Sequence, residues 1–185
     1  MRRTSFEGWP CSIARTADLL GDGWTLLVLR DAFYGETRFD GFVQGLGIAR
    51  NTLTDRLSRL VDTGLLEKRP YQADPVRHDY VLTEKGSDFF GVLAALNAWG
   101  DRWLAGGGDA PVLLHHDACG SDTTAEVVCG ACRQPLHGGD VTARPGPGYP
   151  ARLLGTPDVQ RRFRLASPAR GAGADAAGVD PAARP

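Results

Sequence analysis

The chain has 185 residues, with 21 Lys and Arg against 22 Asp and Glu and a formal net charge of −1. That length allows one well-buried core and a small appendage, and the near-neutral balance excludes binding to nucleic acid through bulk positive charge. Residues 1–104 carry 13 basic and 14 acidic side chains, so a nucleic-acid footprint there must come from local arrangement.

Met1-Arg2-Arg3 is basic, but no apolar run follows it, and the longest apolar stretch, Trp24 to Leu29, is far too short to span a bilayer. A cytoplasmic chain with no membrane contact is expected, and its four cysteines then argue for metal or redox chemistry rather than a disulfide framework. Ser12 to Leu20 and Gly23 to Tyr34 predict two scaffold helices separated at Gly21-Asp22-Gly23.

Phe39, Phe42 and Val43 repeat at helical spacing, Gly45 and Gly47 offer turn positions, and Ile48, Leu53, Leu57, Leu60 and Val61 open a further helix. Leu53, Leu57 and Leu60 share one side of it. Asn51, Thr54, Asp55, Ser58 and Arg59 project from the other, with Arg50 near the beginning. Such a face suits DNA: Arg can bond two acceptors on guanine, Asn can do the same on adenine, and Ser and Thr suit phosphate or either base. Asp55 would repel phosphate unless it pairs with Arg59 four residues on or accepts from cytosine.

Gly64 ends that helix, and Leu65 to Arg69 and Val76 to Leu82 predict two strands joined by a polar loop from Pro70 to Pro75. Lys68, Arg69 and Arg77 would place positive charge on this wing, within reach of a phosphate or an adjacent minor groove. From Thr83 a long helical pattern carries Phe89, Phe90, Val92, Leu93, Leu96, Trp99, Trp103 and Leu104, apolar on more than one face. The surplus apolar face predicts a dimer.

Gly106-Gly107-Gly108 interrupts the pattern, so residues 106–110 are expected to be a linker. Beyond it, His116 and Cys119, then nine residues, then Cys129 and Cys132 supply two short pairs of ligands that suit tetrahedral zinc, with His115 able to replace His116. A structural Zn2+ in a small zinc-ribbon-like module at 111–145 is expected; the competing reading leaves the cysteines unmetallated or as a redox pair. Residues 146–185 drift into Pro, Gly and Ala with no hydrophobic period after about Ser167, which predicts a largely disordered tail.

The first 104 residues or so resemble the HxlR-type winged helix-turn-helix regulators of bacteria. The match runs through Cys11-Ser-Ile-Ala-Arg, Gly23-Trp-Thr-Leu-Leu-Val-Leu-Arg-Asp, Arg38-Phe, Gly47-Ile-Ala-Arg-Asn-Thr-Leu-Thr-Asp-Arg-Leu, Gly64-Leu-Leu and Tyr80-Val-Leu-Thr-Glu-Lys-Gly. The resemblance implies a homodimeric transcription factor whose terminal helices build the dimer, and Cys11 occupies the place of a cysteine that some members use as a redox or electrophile sensor. A thiol at a helix start favours thiolate, whereas a small buried residue filling an interface is the plainer role for it.

The expected architecture is therefore α+β and mainly α, with a winged helix-turn-helix and dimerisation helices in residues 1–105. The expected function is a DNA-binding regulator that applies Arg50, Asn51, Thr54, Ser58 and Arg59 to the major groove and Lys68, Arg69 and Arg77 to the flanks. The alternative is a zinc-ribbon adaptor that uses the winged domain for protein contacts. An enzyme finds no support in a chain lacking a P-loop, a nucleophile elbow or an H-E-x-x-H motif.

Overall fold

Gly21, at φ +80°, ends a first helix, α1 (Ser12–Leu20), and Asp22 then opens α2 (Gly23–Phe33) by accepting a hydrogen bond from the Thr25 N–H at 3.2 Å. The computed structural model describes residues 5–106 and 109–165, divided at Asp140 and Val141 into two units. The first unit is α+β and mainly helical.

α3 (Phe39–Leu46) closes on Gly47, which adopts the left-handed conformation and returns its N–H to the Val43 carbonyl at 3.0 Å. One left-handed residue suffices for the corner, so Gly45 lies inside α3 and not in the turn. α4 (Arg50–Asp62) follows directly. Its Leu53, Leu57 and Leu60 are buried with Val28 and Leu29 of α2, Phe42 of α3, Ile48, Leu65 and Leu66 in a single cluster. Each fully buried leucine contributes roughly 1.5–3 kcal/mol of transfer free energy, so this stripe decides how α4 is rolled.

β1 (Leu66–Ala73) and β2 (Val76–Leu82) pair antiparallel from Leu66↔Leu82 to Ala73↔Val76, with an irregularity between Pro70 and Gln72 that leaves Tyr71 unpaired. β1 thus runs further than the loop expected from Pro70 to Pro75. A bulge in a two-stranded ribbon accommodates a proline that cannot donate to the ladder. The wing is tied back to the start of α3, where the Tyr80 N–H bonds the Thr37 carbonyl at 2.7 Å and the Thr37 hydroxyl donates to Asp79 at 3.0 Å.

The long helix expected from Thr83 is broken at Phe89, whose ring packs on the core, into α5 (Glu84–Asp88) and α6 (Phe90–Trp103). Thr83 caps α5 by accepting from the Gly86 N–H at 3.0 Å while its hydroxyl donates to the Gly64 carbonyl at 2.6 Å. Past the glycines, β3 (Leu114–His116) pairs antiparallel with β4 (Ser121–Thr123), and an isolated bridge joins Val128 to Pro135.

In the second unit, α7 (Ala151–Leu154) and α8 (Pro157–Phe163) occupy part of the stretch expected to be a disordered tail. A buried Val159 and an edge-to-face contact of Tyr149 with Phe163 at 5.3 Å supply the apolar contacts there. The rest of the expected tail, 166–185, lies outside the described residues. No helix among the described residues is long and apolar enough to cross a membrane.

The backbone at Gly86 runs against Leu65, just before β1, and a Cβ placed there would lie 2.1 Å from the Leu65 carbonyl oxygen. Gly86→Ala is therefore expected to lower the unfolding free energy by about 1–3 kcal/mol, the usual cost of overpacking. Urea titration should show a lower midpoint at unchanged slope; a midpoint equal to wild type would contradict the close approach.

Candidate nucleic-acid interface

With Leu53, Leu57 and Leu60 turned inward, Arg50, Asn51 and Thr54 are exposed on α4 and Ser58 is half-buried. Asn51 Oδ1 accepts from the Thr52 N–H at 2.8 Å, which leaves its amide N–H groups outward, and the Thr54 hydroxyl donates to the Arg50 carbonyl at 2.9 Å. The first turns of α4 thus present an arginine, an amide and a hydroxyl, groups that meet base edges or backbone phosphates.

Arg59 does not belong to this face. Its guanidinium donates to the Leu19 carbonyl at 2.9 Å and to the Asp18 carbonyl, both at the end of α1. A residue two after Leu57 and one before Leu60 falls on the flank of the apolar stripe, and the long side chain reaches sideways to satisfy helix-end carbonyls. It serves to dock α4, and it leaves Asp55 without the helical partner considered for it.

Arg56, one turn earlier on the same flank, docks on Asp22, bonding it from Nε at 2.8 Å and through a second guanidinium nitrogen. Burial pushes the Asp22 carboxyl up, but the hydrogen bonds from Arg56 and Thr25 outweigh that and hold it below the ordinary aspartate range. At neutral pH the cap of α2 and the clamp on α4 are thus the same ionised carboxylate.

On the wing, strand alternation sends the two neighbouring cations to opposite faces. Lys68 lies with its Nζ 5.9 Å from the Tyr80 ring centroid, while Arg69 bonds Glu67 at 2.8 Å. Arg77 is exposed near the tip and makes no ion pair with any described residue. The wing therefore offers separated charges and not one basic stripe.

Two residues that the sequence reading passed over stand in the same region. Arg38, at the cap position of α3, lies with its guanidinium 4.4 Å from the Tyr71 ring centroid, and Tyr71 is the residue left unpaired by the β1 bulge. Neither position carries a local signal, because their meeting depends on the wing folding back toward α3.

Cys11 is the cap residue of α1, half-buried, with a free thiol and no side-chain capping bond. Further on, the Cys119 Sγ is 3.3 Å from His116 Nδ1, and the Cys119 and Gly120 N–H groups both return to the His116 carbonyl. Gly120 is left-handed at φ +65°. Around the second pair, the Arg133 N–H returns to the Cys129 carbonyl at 2.9 Å with Arg133 left-handed at φ +63°, so the same tight turn recurs. The N–H groups of Cys132 and Ala131, and then the Cys132 side chain, hold the Cys129 thiol below its ordinary range.

His115 is engaged elsewhere, with its Nδ1 3.0 Å from Asp122 Oδ1 across β3 and β4. The structure forms each pair but does not gather them: no three His, Cys, Asp or Glu side chains among the described residues come together as a metal site. A separate apolar groove of about 680 Å³ runs between α2 and α6, lined by residues including Leu27, Phe33, Phe90, Leu93 and Trp99.

Comparison with known proteins matches residues 19–107 to the HxlR-like helix-turn-helix family. The chain is 43% identical over 148 residues to Rv3095 of Mycobacterium tuberculosis, named an uncharacterised HTH-type transcriptional regulator, covering 80% of this chain and 92% of that one. Because 148 residues exceed the family match by far, the shared sequence runs past α6 into the extension.

Among solved structures it is similar to PA1607, described as a candidate transcription factor, with 34% identity, a TM-score of 0.69 and coverage of 77% of this chain and 100% of the other. PA1374 from Pseudomonas aeruginosa, described likewise, gives 39% identity, a TM-score of 0.55 and coverage of 82% and 99%.

The placement of Arg59 separates docking from reading. Arg59→Ala is expected to cost about 1–3 kcal/mol of stability, since it leaves two helix-end carbonyls without their charged donor. The same variant should leave the salt dependence of DNA binding unchanged at temperatures where it stays folded. A reduced salt slope with wild-type stability would put Arg59 on the DNA instead.

Proposed function

The chain belongs to the HxlR-like helix-turn-helix family and is a transcriptional regulator rather than an enzyme, and on that premise we propose that it acts as a cytoplasmic homodimer reading an inverted repeat in double-stranded DNA. The observation that carries this reading is the exposed first half of α4 beside the wing, with Arg50, Asn51 and Thr54 outward and the leucines locked beneath. Ser58 borders that face, and Lys68, Arg69 and Arg77 flank it.

Support for the dimer comes from apolar surface that one chain leaves uncovered: Ile13 on α1, and Phe90, Val92, Leu96, Trp99 and Trp103 along α6. A two-fold arrangement sets two reading helices roughly one DNA turn apart, ~34 Å, which requires a palindromic site. Control of the regulator by oxidants or by a ligand is part of the same reading. Cys11, a free thiol at the cap of the helix that carries Ile13, and the groove between α2 and α6 are its candidates.

The extension is read as a module closed by structural Zn2+, with His116, Cys119, Cys129 and Cys132 as donors. The support is local: both pairs sit on matching turns with a left-handed residue after the second member, and the Cys129 thiol favours the thiolate that zinc takes. Engagement of His115 with Asp122 favours His116 as the nitrogen donor. When bound, the metal would supply folding free energy and no catalysis.

A second reading, an adaptor whose winged domain contacts protein, draws on the internal pairing of Arg50 with Asp40 and of Arg69 with Glu67. Genomic fragments captured by the purified full chain and footprinted decide between the two. The DNA reading expects two protected half-sites about one turn apart, affinity that falls steeply with salt, and sedimentation as a dimer at micromolar concentration. Binding insensitive to salt, or a monomer on a single half-site, would contradict it. If Cys11 responds to oxidants, diamide should release DNA from wild type but not from Cys11→Ser.

Cobalt substitution tests the extension separately. One Co2+ per chain, with visible d–d bands of tetrahedral strength and thiolate charge-transfer absorption, both lost in Cys129→Ser, is the expected result. Absorption typical of six-coordinate oxygen ligation, or uptake unchanged by the substitution, would refute the donor set.

A further inference from the structure

Between the helix-turn-helix and the wing lies a cleft of about 570 Å³, walled by Glu36, Arg38, Asp40, Arg50, Tyr71 and Arg77 among others. Two of its arginines are built alike. Arg38 lies 4.4 Å from the Tyr71 ring centroid, with its Nε 3.6 Å from Asp79 Oδ1. Arg50 lies 4.9 Å from the Phe39 ring centroid, with a guanidinium nitrogen 2.9 Å from Asp40 Oδ1.

An aromatic ring under a guanidinium restrains its plane while leaving the in-plane N–H donors free to meet an acceptor at the edge. An arginine restrained in this way can take a phosphate by two parallel hydrogen bonds. Both side chains remain about two-thirds exposed, at 62% and 66%, so they are accessible to an incoming ligand.

The acids lining the cleft, Glu36 and Asp40, and Asp79 beside Arg38 are unequally committed. Glu36 accepts the N–H groups of Thr37 and Arg38 at 2.9 and 2.8 Å, and Asp79 accepts the Thr37 hydroxyl at 3.0 Å as well as facing Arg38. Asp40 is different: its side chain is 60% exposed and Arg50 is its partner. An exposed ion pair of this kind is only weakly held, so Asp40 is the group that an incoming anion can replace.

We propose that this cleft is a self-masked receptor for a DNA backbone phosphate, in which Arg38 and Arg50 grip the phosphodiester and Asp40 competes with it for Arg50. The competition makes the grip weak on arbitrary sequence and full only where base contacts hold α4 in register. Asp40 is thereby a specificity-determining residue and Arg38 a phosphate contact that local sequence did not reveal. The near-neutral charge of the DNA-binding region fits this arrangement, because Arg38 and Arg50 each face a carboxylate until a phosphate arrives. The inference rests on the DNA-binding reading above.

The test is fluorescence anisotropy of the full-length protein on the captured fragment and on a scrambled duplex, across a range of salt. Arg38→Ala is expected to weaken both complexes by about tenfold and to reduce the salt slope by about one phosphate contact. Asp40→Asn is expected to tighten the scrambled complex by about tenfold while changing the specific one much less, so that discrimination falls.

Wild-type binding with Asp40→Asn leaving the ratio of the two affinities unchanged, or with Arg38→Ala leaving the salt slope unchanged, would overturn the cleft alone. Salt-independent or absent binding by wild type would overturn the DNA reading along with it. Asp40 is exposed and its substitution is nearly isosteric, so this variant decides the matter even if Arg38→Ala folds poorly.

Discussion

Everything this protein presents to a partner depends on the burial of Leu53, Leu57 and Leu60 beneath α4. Three leucines on one helical stripe, all excluded from water against Val28, Leu29 and Phe42, leave α4 one rotation about its own axis. That rotation turns Arg50, Asn51 and Thr54 outward together. It also sets Arg56 and Arg59 together on one flank, where both find acceptors at the junction of α1 and α2: Asp22 at the cap of α2 and the carbonyls ending α1.

The arginines of this region are consequently divided between holding and offering. Arg56 and Arg59 hold α4 in place and are half-buried, while Arg38 and Arg50 stay exposed and carry only replaceable partners. A charge count does not separate these roles, since all four contribute equally to it. Geometry separates them, because a guanidinium whose Nε–H and a terminal nitrogen are bonded to a neighbouring element is drawn away from the outward face.

The extension beyond α6 follows a different logic. Few of its residues are buried, and its order comes from short hairpins and from turns repeated at His116–Gly120 and Cys129–Arg133. A segment with so little apolar burial draws scant stability from a core, and its order rests on those turns.

Most of the winged domain was legible in the chain itself. The periods of Ser12–Leu20 and Gly23–Phe33, the left-handed glycines at 47 and 64, and the strand run from Val76 to Leu82 are local signals, written in residues within a few positions of each other. Local signals misled where a long-range contact intervened. The helix from Thr83 breaks where Phe89 enters the core, β1 continues through Pro70 by bulging, and Arg59 leaves the reading face for α1. By itself the sequence determined the order of elements and which face of α4 is apolar, because helical period and turn chemistry are properties of neighbouring residues. The tertiary structure alone decided which arginines remain free to meet DNA and that Arg38, Tyr71, Asp40 and Arg50 share one cleft, because those pairings join residues brought together only when the wing packs back on α3.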